Sequence, residues 1–199
     1  MTLVLVIGGT HHNSLGVIRA LGEGGYEIEF VNFNAGKSDY VSKSMYIKKY
    51  QALNGIEEVA PYLLNRPLSK EQEVIISCAD AVTECLNLHY DELSDRYIFP
   101  GVPNQGMMVE LMDKTTMIGM VAKRGIYAPS VWKLPEDKNK VTFPCITKCY
   151  ISSHGGKSDI VIHRSKEELD TFLQNNQGEI FAQVYINKKE EVQFIGCSL

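Results

Sequence analysis

The 199-residue sequence lacks any apolar run long enough to span a bilayer, so a membrane-embedded protein is not expected. Its first apolar stretch, MTLVLVIGGT, is short and has neither a basic leader nor a small-residue cleavage site, and so reads as a buried strand. Charge of one sign is also lacking. Twenty Lys and Arg stand against 24 Asp and Glu, a net charge of −4 that gives no general attraction for nucleic acid or an anionic membrane. Any anion site must therefore be a local gathering of lysines and backbone N–H groups. The five cysteines, Cys78, Cys85, Cys145, Cys149 and Cys197, form no CxxC pair and fall in apolar surroundings. Their spacing is wrong for zinc, and reduced, packed thiols in the cytoplasm are expected. Internal repeats, low-complexity tracts and a Ser/His/Asp or Cys/His constellation are absent too, so no catalytic nucleophile is named.

Apolar residues make up 44% of the chain and charged residues 22%, the balance of a globular protein with a sizeable core. The first half alternates strand and helix. LVLVIGG is apolar at nearly every position, as a strand covered on both faces must be, and Leu15, Ile18 and Leu21 then recur at helical spacing up to Gly24 and Gly25. EIEFVNF, MYIKKY and VIISC read as further strands, with a helix over 56–64 and another capped by Asp80. A parallel α/β sheet follows from this order. Past Pro100 the pattern changes: a helix over 104–125 is interrupted near Asp113 and stopped by Gly125, linking two domains expected over 1–110 and 111–199. The second is expected to be α+β with an antiparallel sheet, from VWKL, FPCITK, DIVIH, a helix opened by a Ser165/Glu168 capping box, and the pair EIFAQVYI and EEVQFIGCS.

Three segments carry chemistry. The turn GGTHHNSLG joins the first strand to the first helix and puts His11, His12, Asn13 and Ser14 at the carboxyl edge of a parallel sheet, where open α/β folds place ligands. Its spacing is not GxGxxG, and no acidic residue closes the second strand, so the turn reads as a plain connection, a substrate-facing loop or, least in keeping with that spacing, a nicotinamide or flavin site. Residues 143–159, FPCITKCYISSHGGKSD, end a short strand in Lys148 and continue into a loop with Ser152, Ser153, Gly155 and Gly156. An ammonium group beside small residues that can present their N–H groups suits a polyphosphate, although the order is not that of a Walker loop and an ordinary hairpin tip fits as well. The third is IFAQVYINKKEEVQF, a strand, a charged connection and a strand. An adenine ring laid along it can be read by main-chain groups, with a carboxylate beyond for ribose hydroxyls.

In order and spacing these elements resemble the ATP-grasp superfamily, and more closely its carbamoyl-phosphate-synthase-like, carboxylate-amine ligase branch. DKTTMIGMVAKRGIYAPSVWKL, FPCITK, the Gly-rich loop, VIHRSKEEL and the QVYI hinge are similar to the family's motifs in their order, and the amino-terminal segment is similar to the front of amino-acid ligases. The resemblance implies a Rossmann-like pre-ATP-grasp parallel-sheet domain followed by the first α+β subdomain of a truncated ATP-grasp fold. It implies that Lys114 reaches the nucleotide phosphates from below, that Lys148 holds the α- and β-phosphate oxygens, and that Ser152, Ser153, Gly155 and Gly156 form a lid over the γ-phosphate. Gln183 would read the adenine amino group, the main chain of Val184 and Ile186 the rest of the base edge, and Glu190 or Glu191 the ribose, Glu191 being preferred because it opens the strand. His11, His12, Asn13 and Ser14 would line the substrate side.

Cys149, Tyr127 and Val184 depart from the family's pattern, which has proline at the first two and often an acidic residue at the third. The chain also stops at Leu199, about where the second half of such a fold begins, and so reads as part of a longer protein. The Mg2+ ligands that accompany ATP are expected in that second half, and no metal ligand is named here. The implied activity is an ATP-dependent ligase that activates a small carboxylate as an acyl phosphate and joins it to an amine, inactive in this chain alone. A regulatory ATP-binding module and a Rossmann-type dinucleotide oxidoreductase are the alternatives. The implied protein is cytoplasmic, with nucleic acid and membrane excluded as partners and a homodimer admitted.

Overall fold

A computed structural model describes residues 3–36, 38–150, 160–176, 178–190 and 192. The chain divides into two compact units, Met1–Met112 and Asp113–Leu199.

In the first unit, β1 (Leu3–Gly8), β2 (Glu27–Asn32), β3 (Ile47–Ala52), β4 (Glu73–Ser77) and β5 (Tyr97–Ile98) form one sheet in the order β3-β2-β1-β4-β5, all neighbours parallel. The continuous apolar run of β1 is explained by its alternation. Leu5 and Ile7 enter a core with Val31, Leu63, Ile75, Val82 and Leu86, under α2 (Val59–Asn65) and α3 (Asp80–Leu88), while Val4 and Val6 enter a second core with Ile18, Ile28 and Phe30 under α1 (His12–Glu23). Each fully buried side chain of this kind contributes about 1.5–3 kcal/mol of burial energy, so both faces are strongly specified. α1 ends where Gly25 takes φ 82° and Tyr26 N–H closes onto Leu21 carbonyl, a geometry that favours glycine. Asp80 is the first residue of α3, and Ala79 stands at the cap without a side-chain bond. α4 (Tyr90–Leu93) and α5 (Met107–Met112) complete the unit.

Strand order reverses between β1 and β4, which makes the carboxyl ends of these two strands the switch point of the sheet. The 8–16 turn lies there.

The second unit opens on α6 (Lys114–Lys123), separated from α5 by Asp113, so the helix expected over 104–125 is two helices. Asp113 caps α6, its carboxylate accepting from Thr116 N–H at 2.6 Å and Thr115 Oγ1 at 2.7 Å. Gly125 follows the helix at φ 72°. The sheet is antiparallel in the order β6-β9-β7-β8, from β6 (Val131–Lys133), β7 (Cys145–Cys149), β8 (Val161–His163) and β9 (Ile180–Val184). α7 (Lys166–Asn175) covers one face, with Leu169, Phe172 and Leu173 packed on Cys145, Ile180 and Ala182. Side chains alternate along a strand. Ile146 and Lys148 therefore face away from α7, as do their cross-strand partners Gln183 and Phe181.

Among the described residues no helix is long and apolar enough to cross a membrane.

Candidate functional site

Lys148 is delivered by β7 to the face of the second sheet that α7 leaves open, and it is half-buried there. Its Nζ donates to Gln183 Oε1 at 2.8 Å, a diagonal pair across β7 and β9. Lys114 arrives from the first position of α6. Its main-chain N–H donates to the carbonyl of Tyr150 at 3.1 Å and its Nζ to the carbonyl of Cys149 at 3.0 Å, which ties the helix start to the end of β7. A lysine at a helix N-terminus sits against the positive end of the helix dipole, a placement that costs a few tenths of a kcal/mol or more, up to about 1. The Asp113 cap fixes that helix start: burial would raise its carboxyl, but the bonds from Thr115 and Thr116 outweigh it and hold it below the usual carboxylate value.

Burial, and then the charge of Lys114, push Lys148 below the ordinary lysine value. Two cations brought together and partly dehydrated are poorly balanced in the free protein and well matched to a polyanion. Beside them the ring of Tyr150 lies 5.3 Å from that of Phe181 at 49°, an aromatic contact on the Lys148 face that the sequence reading did not single out. Its signal was available, because Tyr150 stands two residues past Lys148 and alternation puts both on one face.

Gln183 is buried, with 8% exposure. The N–H of Val184 donates to the carbonyl of Ser130 at 3.1 Å and so is already engaged within the sheet. Ile186 and Glu190 are exposed. Ser152, Ser153, Gly155, Gly156 and Glu191 lie outside the described residues.

In the first unit, His11 caps α1 and its Nδ1 accepts from Asn13 N–H at 3.2 Å, with the His12 ring 3.8 Å away; His11, His12 and Asn13 are exposed. Ser14 differs from these three. It is fully buried and its hydroxyl donates to Gly9 carbonyl at 2.9 Å, closing the turn from inside. A side chain on Gly8 would press to 2.9 Å from Cys78 Cβ, so this glycine is set by packing. Asn32 ends β2, where a dinucleotide fold would need a ribose-binding acid. Its amide nitrogen donates to Thr10 Oγ1 at 3.0 Å and Asp39 Oδ2 at 2.9 Å, and its oxygen accepts from Asn34 N–H, so the group is spent internally.

Cys78 and Cys145 are each pushed up to about 11 by burial, and Cys85 is raised as well, which leaves these thiols protonated and poor nucleophiles. Among the described residues no three His, Cys, Asp or Glu side chains are grouped to hold a metal ion. The lysine pair suits nucleotide phosphates.

No protein-family model and no curated protein matches the chain by sequence. Solved structures do. An L-amino acid ligase from Bacillus licheniformis matches with a TM-score of 0.68 at 13% identity, over 94% of this chain and 45% of that one. A carboxyaminoimidazole ribonucleotide synthase from Aspergillus clavatus, complexed with ATP, matches with a TM-score of 0.68 at 10% identity over 94% and 48%. A phosphoribosylamine–glycine ligase from Thermotoga maritima matches with a TM-score of 0.55 at 17% identity over 92% and 44%. The chain thus spans about half the length of the structures it matches. What these likenesses establish is architecture: a parallel α/β unit followed by an antiparallel one, the fold of the ATP-grasp ligases over about half their length.

Proposed function

We propose that this chain is the ATP-binding portion of an ATP-dependent carboxylate–amine ligase, in which Lys148 and Lys114 hold the nucleotide phosphates and the Gln183 to Ile186 segment receives the base. The observation that carries the reading is the convergence of two lysines at the end of β7: Lys148 stands there with its Nζ bonded to Gln183 of the neighbouring β9, and Lys114 Nζ is bonded to the Cys149 carbonyl. That arrangement serves phosphoryl transfer, where catalysis is mostly positioning and neutralisation of charge. ATP would supply the phosphoryl group that turns a carboxylate into an acyl phosphate open to attack by an amine. Lys148 would orient the phosphates, and Lys114, anchored through Cys149 and Tyr150, would keep the charge in register. Ser152, Ser153, Gly155 and Gly156 would close over the phosphates, and Glu190 or Glu191 would take the ribose. His11, His12 and Asn13 would line the carboxylate or amine side. The magnesium ions and the acyl-transfer residues would come from a further segment of the intact protein, and the whole would work in the cytoplasm.

Calorimetric titration of the chain with ATP tests this. Lys148→Met is expected to weaken binding by about 30-fold, the size of a lost charge-assisted contact to phosphate. ATP binding that is indifferent to this substitution, or selective binding of NADH in place of ATP, would overturn the reading.

A further inference from the structure

Lysine is a poor choice for the first position of a helix, because its ammonium meets the positive end of the helix dipole. Lys114 nevertheless holds that position in α6. What offsets the mismatch is Asp113, which stands at the cap with extended backbone, φ −71° and ψ 117°. Its Oδ1 accepts both from Thr116 N–H at 2.6 Å and from Thr115 Oγ1 at 2.7 Å. Burial would raise this carboxyl, but those bonds outweigh it, so the group is charged at neutral pH. It therefore satisfies a donor that the helix start would leave open, and it sets a negative charge against the dipole. The first turn fixed in this way carries Lys114 to the end of β7. There its main-chain N–H reaches the carbonyl of Tyr150 at 3.1 Å and its Nζ the carbonyl of Cys149 at 3.0 Å.

We infer, on the basis of the nucleotide site proposed above, that Asp113 is a positioning residue for phosphate binding, acting through Lys114 and touching no part of the ligand. Two consequences separate this role from helix capping for its own sake. Fraying of the first turn withdraws Lys114 from the site, so affinity falls in proportion to the fraction of chains that still hold it in place. That loss has a ceiling, the loss suffered when the Lys114 ammonium is removed outright. The second consequence comes from both bonds falling on one oxygen. Asp113→Asn keeps that acceptor, and with it the position of Lys114, while giving up the charge. Stability and affinity then part company: the dipole loses its counter-charge, yet the phosphates lose nothing they need.

The test is a double-mutant cycle read by calorimetric titration of the 199-residue chain with ATP, with melting temperatures measured alongside. Asp113→Ala is expected to weaken ATP binding about fivefold, and Asp113→Asn to restore it to within about twofold of the parent chain. In a Lys114→Met background, Asp113→Ala is expected to leave affinity where it is while still lowering the melting temperature. A purely structural role would lower the melting temperature in the same way, and would move affinity equally in both backgrounds or in neither. Asp113→Gly, which a cap position tolerates with little loss of stability, removes the same acceptor and takes the place of Asp113→Ala if that chain does not fold. An effect of Asp113 on affinity that is absent, that Asp113→Asn does not rescue, or that persists in the Lys114→Met background overturns the inference; the ligase reading stands as long as ATP binding still depends on Lys148. Failure of the chain to bind ATP, or binding indifferent to Lys148, overturns both.

Discussion

Lys114 Nζ lies 3.0 Å from the carbonyl oxygen of Cys149, the neighbour of Lys148, so one lysine is held by the backbone that presents the other. The consequence is electrostatic. Lys148 is pushed below the ordinary lysine value of 10.5 by burial and then by Lys114, and a bound polyphosphate reverses this by favouring the ammonium. Nucleotide binding is therefore expected to take up protons as pH climbs toward the ordinary lysine range, and affinity to fall there. Calorimetry in buffers of different ionisation enthalpy reads the uptake, and Lys148→Met should remove it.

The same shift has a consequence for stability. A base whose folded value is depressed binds more protons unfolded than folded, so its burial penalty grows as pH falls through that window. Lys148→Met is thus expected to leave the melting temperature of the ligand-free chain unchanged or slightly raised while nucleotide binding is lost. A marked drop in melting temperature would mean that Lys148 holds the fold together and is not kept for a ligand.

What the sequence disclosed and what it withheld divide along the range of the interactions. β1 was legible because a strand covered on both faces must be apolar throughout, and the Ser165 cap of α7 because it is a contact within one turn, Glu168 N–H to Ser165 Oγ. The two-residue β5 has no period to read. Lys114 has no basic neighbour in a motif, and nothing in spacing says that a helix start will meet a strand end 35 residues later. Ser14 is grouped in the sequence with His11, His12 and Asn13 on the substrate side of the sheet edge, and helical geometry turns its side chain inward onto Gly9. Asn32 and Asp39 were passed over for a related reason, since their bond depends on where the chain after β2 folds back.

Glu29 and Arg66 form a buried ion pair at 2.5 Å, with side chains 5% and 14% exposed, and Tyr62 OH donates to the same carboxylate oxygen at 2.6 Å. Burial and then Glu29 push the Tyr62 phenol up to about 12. Arg66→Met should cost about 3 kcal/mol, because it leaves Glu29 charged, buried and held by Tyr62 alone. The double variant Glu29→Leu with Arg66→Met should recover most of that loss. Urea denaturation followed by far-ultraviolet circular dichroism measures both, and equal losses in the single and double variants would show that the pair is not the source of the cost.

Asp39 organises the segment between β2 and β3. One oxygen accepts from the N–H groups of Val41 and Ser42 at 3.1 Å each, and the other from Tyr50 OH at 2.5 Å and Asn32 at 2.9 Å. Burial, and then this carboxylate, push Tyr50 up to about 12 from 10.0. A phenol whose folded value is raised contributes stability that is lost as pH rises from about 10 to about 12, because the unfolded chain gives up the proton first. Tyr50→Phe should therefore weaken the alkaline fall in stability of the chain. Unchanged alkaline denaturation in this variant would show that the Asp39 bond does not hold the phenol.

His163 is a buried base of the second unit whose environment makes it a candidate for acid sensitivity. It is 2% exposed, its Nε2 shares a hydrogen bond with Thr147 Oγ1 at 3.0 Å, and its ring lies 5.0 Å from that of Phe172. Burial pushes it below 6.5, with the charge of Glu168 opposing. The unfolded chain then binds a proton that the folded unit refuses, so stability is whole above the ordinary histidine value and is lost as pH falls below it. Trp132, the one tryptophan in the chain, packs against the same core under α7 and reports on this unit alone. Urea titrations followed by its fluorescence should show a midpoint that falls between pH 7.5 and pH 5, and His163→Gln, which can still bond Thr147, should flatten that dependence. A fall in midpoint as steep in His163→Gln as in the parent chain would place the acid sensitivity on another group.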